Sequence, residues 1–258
     1  MFSVTAHALD CGPHQLVDVD ADEYGRYIAL LDNAEVCTAA GRVRLPFTFE
    51  YPLIRELDEE RFLIVETRQL TTNNGHIFTY TGQRLLSFEA GDGIEDVLIQ
   101  AGRIVISYFD EGVLSGTKPA SDGLAVFDFT GQQVFGFNTS QPHFILDCYC
   151  MCRQGKSKIL AYTYTDFDLW EICLTSYRVS QLATPPDVEG ATALTTFQNG
   201  VIFYSSYTYK TSFLWWNRQT RVRRLPATQA SLRGIGNGKF LAYDAAGFSI
   251  LDAGALLG

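Results

Sequence analysis

With 258 residues and a mass of 28.8 kDa, the chain is long for one ordinary core but suits an all-β architecture that spreads its core over many short strands. At 47% hydrophobic and 13% aromatic residues, with no uninterrupted apolar run of about 18 residues, it has neither a disordered nor a membrane-spanning composition. The net charge of −9 is uneven: residues 1–111 hold 19 acids and 8 bases and the remainder 10 and 12, so one half sets up a negative field that repels nucleic-acid backbones and attracts cationic partners.

In chain order the sequence repeats one phrase: a strand, a tight turn, an apolar strand, a polar loop, and a third strand ending near Gly. The apolar strands are RYIALLD from Arg26, RFLIVET from Arg61, RIVISYF from Arg103, KILAYTY from Lys158, GVIFYSS from Gly200 and KFLAYDA from Lys239, starting 35, 42, 55, 42 and 39 residues apart. Their companions begin at Ala34, Gly75, Gly123, Leu169, Ser212 and Gly247, and a fourth strand precedes each pair, from LVDVD after Gln15 to LRGIG after Ser231. Such a spacing holds about four strands with their turns. A lone four-stranded meander cannot bury both faces, so the copies must stack radially, which predicts a single six-bladed β-propeller of antiparallel four-stranded blades. The blades are predicted at about residues 13–50, 51–90, 91–140, 141–186, 187–227 and 228–258. The last runs out of chain, so residues 1–12 are expected to supply its outer strand and close the ring.

The blade phrase, with a companion strand reading FDFTGQ from Phe127, resembles the six-bladed propellers of the NHL and YWTD type. The stretch GDGIEDV from Gly91 with SYFDEGV from Ser107 also resembles a group of uncharacterised bacterial propeller-like proteins. This resemblance implies fold more than activity, and the Tyr-Trp-Thr-Asp tetrad itself is absent.

In an up-and-down meander, the connection entering each blade and the loop between its second and third strands open at the same end. That parity gathers Asp92, Glu95, Asp96, Asp110 and Glu111 on one rim, with His143, Asp147, Asp166 and Asp168 from the next blade beside them. Packed carboxylates must be solvated or must meet a positive charge. Three readings follow: a solvated rim, a docking face for a cationic protein, or a hard cation such as Ca2+ held by Asp96 and Asp110. The 110–122 segment is the longest of the loops and is expected to expose Val113 and Leu114, while Phe109, Phe167, Tyr207 and Tyr209 are candidate interface anchors.

Other motifs carry less. Cys148, Cys150 and Cys152 alternate along a strand, which predicts three thiols on one face packed as small hydrophobes. Only four histidines occur and none has paired ligand spacing. GIGNGK from Gly234 lies between strands and reads as a turn, not a phosphate loop, and Arg218, Arg221, Arg223 and Arg224 read as charges guarding an outer edge. Residues 1–20 lack a basic start followed by an apolar run, and the six cysteines read as reduced thiols, so a bacterial cytoplasm is the expected location.

The expected function is therefore a non-enzymatic protein-binding module, without cofactor, nucleic acid or membrane. It would use Asp92, Glu95, Asp96, Phe109, Asp110, Glu111, Val113, Asp166 and Asp168 against a cationic partner, as an immunity-like protein occludes a basic toxin domain. The alternative is a metal-dependent hydrolase of lactonase type working at the channel mouth.

Overall fold

A computed structural model describes residues 3–69, 72–227 and 231–258. The first residues of the sixth predicted blade, 228–230, lie outside the described residues, as do residues 1–2 and 70–71.

The described strands form six separate four-stranded antiparallel sheets. After β1 (Ser3–Ala8), blade 1 is β2 (Leu16–Ala21), β3 (Tyr27–Leu31), β4 (Glu35–Thr38) and β5 (Gly41–Arg44), and blade 2 is β6 (Pro52–Glu56), β7 (Arg61–Glu66), β8 (Gly75–Thr79) and β9 (Arg84–Phe88). Blade 3 is β10 (Ile94–Gln100), β11 (Arg103–Tyr108), β12 (Leu124–Phe127) and β13 (Gln133–Gly136), and blade 4 is β14 (Asp147–Gln154), β15 (Lys158–Tyr164), β16 (Leu169–Cys173) and β17 (Val179–Leu182). Blade 5 is β18 (Ala193–Phe197), β19 (Gly200–Tyr204), β20 (Ser212–Trp216) and β21 (Val222–Pro226). Blade 6 is β22 (Arg233–Gly236), β23 (Lys239–Asp244) and β24 (Gly247–Asp252), completed by β1 on the far side of β24. This is the six-bladed propeller the repeats predict, closed by the N-terminal strand, with Val4 opposite Leu251 and His7 opposite Phe248.

Packing explains why the second strand of each blade is a continuous apolar run. Six hydrophobic clusters fill the six gaps between neighbouring blades, so each sheet buries both faces. Phe62, Ile64 and Phe78 of blade 2 meet Ile28 and Leu30 of blade 1 in one gap, while Leu63, Val65 and Ile77 face blade 3 in the next. Each fully buried side chain of this size contributes about 1.5–3 kcal/mol. Outer strands such as β9 and β17 turn Arg84, Ser87, Ser180 and Gln181 toward solvent.

Turn chemistry sets the close approaches. Asn237 and Gly238 both have positive φ (50° and 77°) in the two-residue β22–β23 hairpin, so the GIGNGK stretch is the turn the sequence predicts. A Cβ on Gly234 would lie 1.7 Å from the Leu194 carbonyl oxygen, so only glycine lets blades 5 and 6 meet there.

Two local expectations are corrected. The 110–122 segment is not an open loop: Asp110–Leu114 forms a one-turn helix, α1, and Ala120–Asp122 a 3-10 turn. The buried Asp122 carboxylate pins it by accepting from Thr139 Oγ1 at 2.5 Å and Gln133 Nε2 at 2.7 Å. Nor do the three thiols share a face. The register of β14 shifts between Cys148 and Cys150, and this β-bulge turns Cys148 toward blade 3 while Cys150 and Cys152 pack toward blade 5.

Candidate functional site

The first strand of each blade lines the axis, and three of these strands carry an arginine at alternate blades: Arg55 on β6, Arg153 on β14 and Arg233 on β22. Arg55 is 3% exposed and donates to Asp18 Oδ2 at 2.6 Å, Asp96 Oδ1 at 2.7 Å and the carbonyls of Ile54 and Val97. Burial works against its charge, but Asp18 and Asp96 outweigh that effect and hold the guanidinium protonated. Arg233 donates to the Val19 carbonyl at 2.7 Å and to Asp20 at 3.2 Å, and Arg153 to the Ile99 carbonyl at 3.0 Å. The axis is thus a plug of cross-blade ion pairs around a void of about 20 Å3.

This arrangement corrects the position of Asp96. It opens at the predicted end, next to Gly93, whose carbonyl accepts from Phe109 N–H at 2.9 Å, but its side chain turns down the axis into the pair with Arg55 and does not sit on the rim. Asp110 is exposed at the start of α1. The two carboxylates are therefore not assembled as a metal site, and among the described residues no group of three His, Cys, Asp or Glu side chains is placed to hold a metal ion. Val113 is also misplaced by the sequence reading: it is buried, packed in the gap between blades 2 and 3, while its neighbour Leu114 stands 69% exposed.

Above the plug, at the end where the first strands begin, lies a cavity of about 300 Å3 whose wall includes Asp18, Arg55, Glu95, Tyr149, Arg233 and Tyr243. Glu95 and Tyr149 reach it for the same reason. Each is the extra residue of a β-bulge, between Ile94 and Asp96 on β10 and between Cys148 and Cys150 on β14. Glu95 is open to the solvent of this concave mouth yet closely walled in; burial first, then the nearby Asp147 and Asp96, pushes its carboxyl up to about 7. Burial and Asp110 likewise push Asp147 up to about 6. Neither Glu95 nor Asp147 has an ion-pair partner among the described residues.

A wall of rings continues outward from the mouth. Tyr149 and Tyr207 join hydroxyls at 2.8 Å, Tyr149 stacks on Tyr164 at 6.1 Å, and Phe167 stands edge-on to Tyr207 at 5.7 Å. Tyr207 is 52% exposed and Phe144, on the connection into blade 4, is 60% exposed.

On the blade 3 rim the carboxylates are partly neutralised by a base the sequence reading overlooked. Arg68, from the corresponding loop of blade 2, lies 3.6 Å from Asp92 and 2.8 Å from Glu111, with its guanidinium 5.5 Å from the Phe109 ring centre. Asp92 also accepts from the Gln69 backbone N–H at 2.8 Å. On blade 4, Asp168 accepts from Gln181 while Asp166 is exposed with no bonded partner among the described residues. Asp110, Asp147, Glu95 and Asp166 are therefore carboxylates of this end without an ion-pair partner among the described residues.

The opposite mouth holds a cavity of about 390 Å3 that is also rich in acids, but there Arg26 lies 3.4 Å from Asp22 and 3.7 Å from Glu56, and Arg61 lies 2.6 Å from Asp58. Glu59, on the same mouth, is exposed without an ion-pair partner among the described residues. The basic edge is smaller than predicted, because Arg218 turns inward to Gln154 at 2.8 Å and Glu171 at 3.7 Å, leaving Arg221, Arg223 and Arg224 exposed.

No protein-family model matches the chain, and no curated protein matches it either. Solved structures share its fold at low identity. Virginiamycin B lyase from Staphylococcus aureus is 10% identical over 98% of this chain and 99% of its own, with a TM-score of 0.58. Hsv2 from Kluyveromyces lactis is 11% identical over 90% of this chain and 72% of its own, with a TM-score of 0.58. The extracellular domain of a one-component system from B. thetaiotaomicron is 10% identical over 91% of this chain and 33% of its own, with a TM-score of 0.54. At these identities the likeness concerns the propeller alone.

Proposed function

We propose that this propeller is a non-enzymatic binding module that docks a cationic protein across the end built by α1, the Phe144 connection and the loops around Asp166 and Tyr207. The observation that carries the reading is the coincidence at this end of carboxylates without an ion-pair partner among the described residues (Glu95, Asp110, Asp147, Asp166) and exposed apolar or tyrosine side chains (Leu114, Phe144, Tyr164, Tyr207). Apolar anchors supply contact area, while the acid field steers the encounter and rejects acidic partners. Among the predicted interface residues, Asp110, Glu111 and Asp166 face outward and Glu95 faces the mouth. Asp92, Phe109 and Asp168 support the rim, whereas Asp96 and Val113 belong to the interior.

The most concrete version is an immunity-like protein of the bacterial cytoplasm that covers the basic surface of a toxin domain, within an NHL- or YWTD-like propeller group. The arginine-filled axis supports it over metal-assisted hydrolysis, because cations already occupy the place where oxygen ligands would converge. Affinity capture from the native host, with wild-type chain and the Asp110→Lys/Asp166→Lys variant in parallel, tests the reading. A basic protein retained by the first and lost by the second is expected. Retention by both, with the variant folded, overturns it.

A further inference from the structure

The rim explains attraction of a cationic surface, but not why the axis opens into a cavity there. The charges around that cavity are sorted. On one side, Arg55 on β6 and Arg233 on β22 are engaged with Asp18 and Asp20 on β2 and with Asp96 on β10. On the other, Glu95 on β10 lies near Asp147 at the start of β14, which in turn lies near Asp110 of α1, and none of the three has a base within ion-pair distance among the described residues. Tyr149, Tyr243 and Cys150 line the same space. Both arginines of the wall are thus paired with carboxylates, and the unpaired Glu95 stands beside a tyrosine face, an arrangement that complements one further positive charge.

We propose that the cavity is a socket for a single cationic side chain of the docked partner, an arginine or lysine that pairs with Glu95 of its wall, next to Asp147, with its stem against Tyr149. This rests on the reading that the partner docks at this end. About 300 Å3 holds one such side chain and its waters, but no folded segment. The β-bulges on β10 and β14 are the devices that build it, since without the extra residue the side chains of Glu95 and Tyr149 would take the opposite parity.

Entry of a cation favours the ionised carboxylates, so with Glu95 near 7 and Asp147 near 6, binding releases protons at neutral pH and weakens as the pH falls through this window. The test uses the blocked tripeptide acetyl-Gly-Arg-Gly-amide, its lysine analogue and its neutral citrulline analogue, titrated into the intact protein by calorimetry in buffers of different ionisation enthalpy. The carboxyl 13C resonances of Glu95 and Asp147 are followed in parallel. The expected result is binding of the cationic peptides at pH 7.5 with proton release, at least tenfold tighter than citrulline, at least tenfold weakened by Glu95→Gln and at least fivefold weakened at pH 5. Equal binding of citrulline, or carboxyl resonances unmoved by the arginine peptide, overturns the socket. Equal affinity for the wild type and Glu95→Gln, when circular dichroism shows both folded, does the same. The outcomes separate from the docking reading: loss of captured partner in Asp110→Lys/Asp166→Lys but not in Glu95→Gln leaves the face intact and removes the socket.

Discussion

Nη2 of Arg55 on the second blade donates to Oδ1 of Asp96 on the third at 2.7 Å, in the axis of the propeller, while Nη1 of the same guanidinium holds Asp18 of the first blade at 2.6 Å. One side chain therefore ties three blades together and converts a would-be channel into a plug. Fully satisfied, such a network defines the arrangement of its neighbours; half satisfied, it is costly.

Arg55→Met should accordingly lower stability by about 3–5 kcal/mol, because it leaves Asp18 and Asp96 buried without their cation. Adding Asp18→Asn and Asp96→Asn should recover part of that loss. Urea unfolding of the three proteins checks this, and a loss under 1 kcal/mol for Arg55→Met would show that the pair contributes little.

Glu95 links stability to pH in the opposite sense to an ordinary salt-bridged carboxylate. Its pKa is raised from 4.5 to about 7 in the folded chain, so the folded state binds more protons between those values and stability falls as pH rises through them. Glu95→Gln should therefore be more stable than the wild type at pH 8, with the gain absent at pH 4. Thermal melts across that range test it, and a constant difference at all pH values would contradict the assignment.

Arg68 is a built-in counterion of the rim. Its exposed pairs with Asp92 and Glu111 are each worth at most about 1 kcal/mol, so Arg68→Ala should barely change the unfolding midpoint. Association with a basic partner should become faster and more salt-sensitive, read by stopped-flow mixing at two ionic strengths.

Closure of the ring by β1 predicts that removing Ser3–Ala8 exposes the β24 edge and loses the His7–Phe248 stack at 4.5 Å. A destabilisation of about 2 kcal/mol or more, seen as a fall of about 4–8 °C in Tm, is expected together with concentration-dependent association.

Thiol reactivity should be confined to one position. Hydrogen bonds from Ser176 and Thr175 bring Cys173 down to about 6, whereas burial pushes Cys152 up to about 12 and raises Cys11, Cys37, Cys148 and Cys150 as well. Iodoacetamide at pH 7 should label Cys173 first, as peptide mass spectrometry would show.

The blades were legible because burial on both faces forces the same apolar run into every second strand, as in RFLIVET and KILAYTY, and the turns between them recur. The rim was legible for a related reason: strand parity places Asp92 and Asp110 at one end whatever the details. Parity fails where a strand bulges, which is why Cys148 does not share a face with Cys150 and Cys152 and why Glu95 and Tyr149 give no sign in the sequence of sharing a mouth. Asp96 and Arg55 stand 41 residues apart, and only the closed ring brings them together; the signal available was the charge within the innermost strands at Arg55, Arg153 and Arg233. Val113 is buried because the one-turn helix turns Gly112 and Val113 inward, and nothing in DEGVL marks that turn in advance.

Zero-length carbodiimide crosslinking of the captured partner, mapped by mass spectrometry, tests the docking face most directly, since it joins carboxylates of this chain to lysines in contact with them. Links from Asp110, Glu111 and Asp166 are predicted. Links confined to Asp22, Glu59 and Glu60 at the opposite mouth would place the partner on the wrong end and contradict the account.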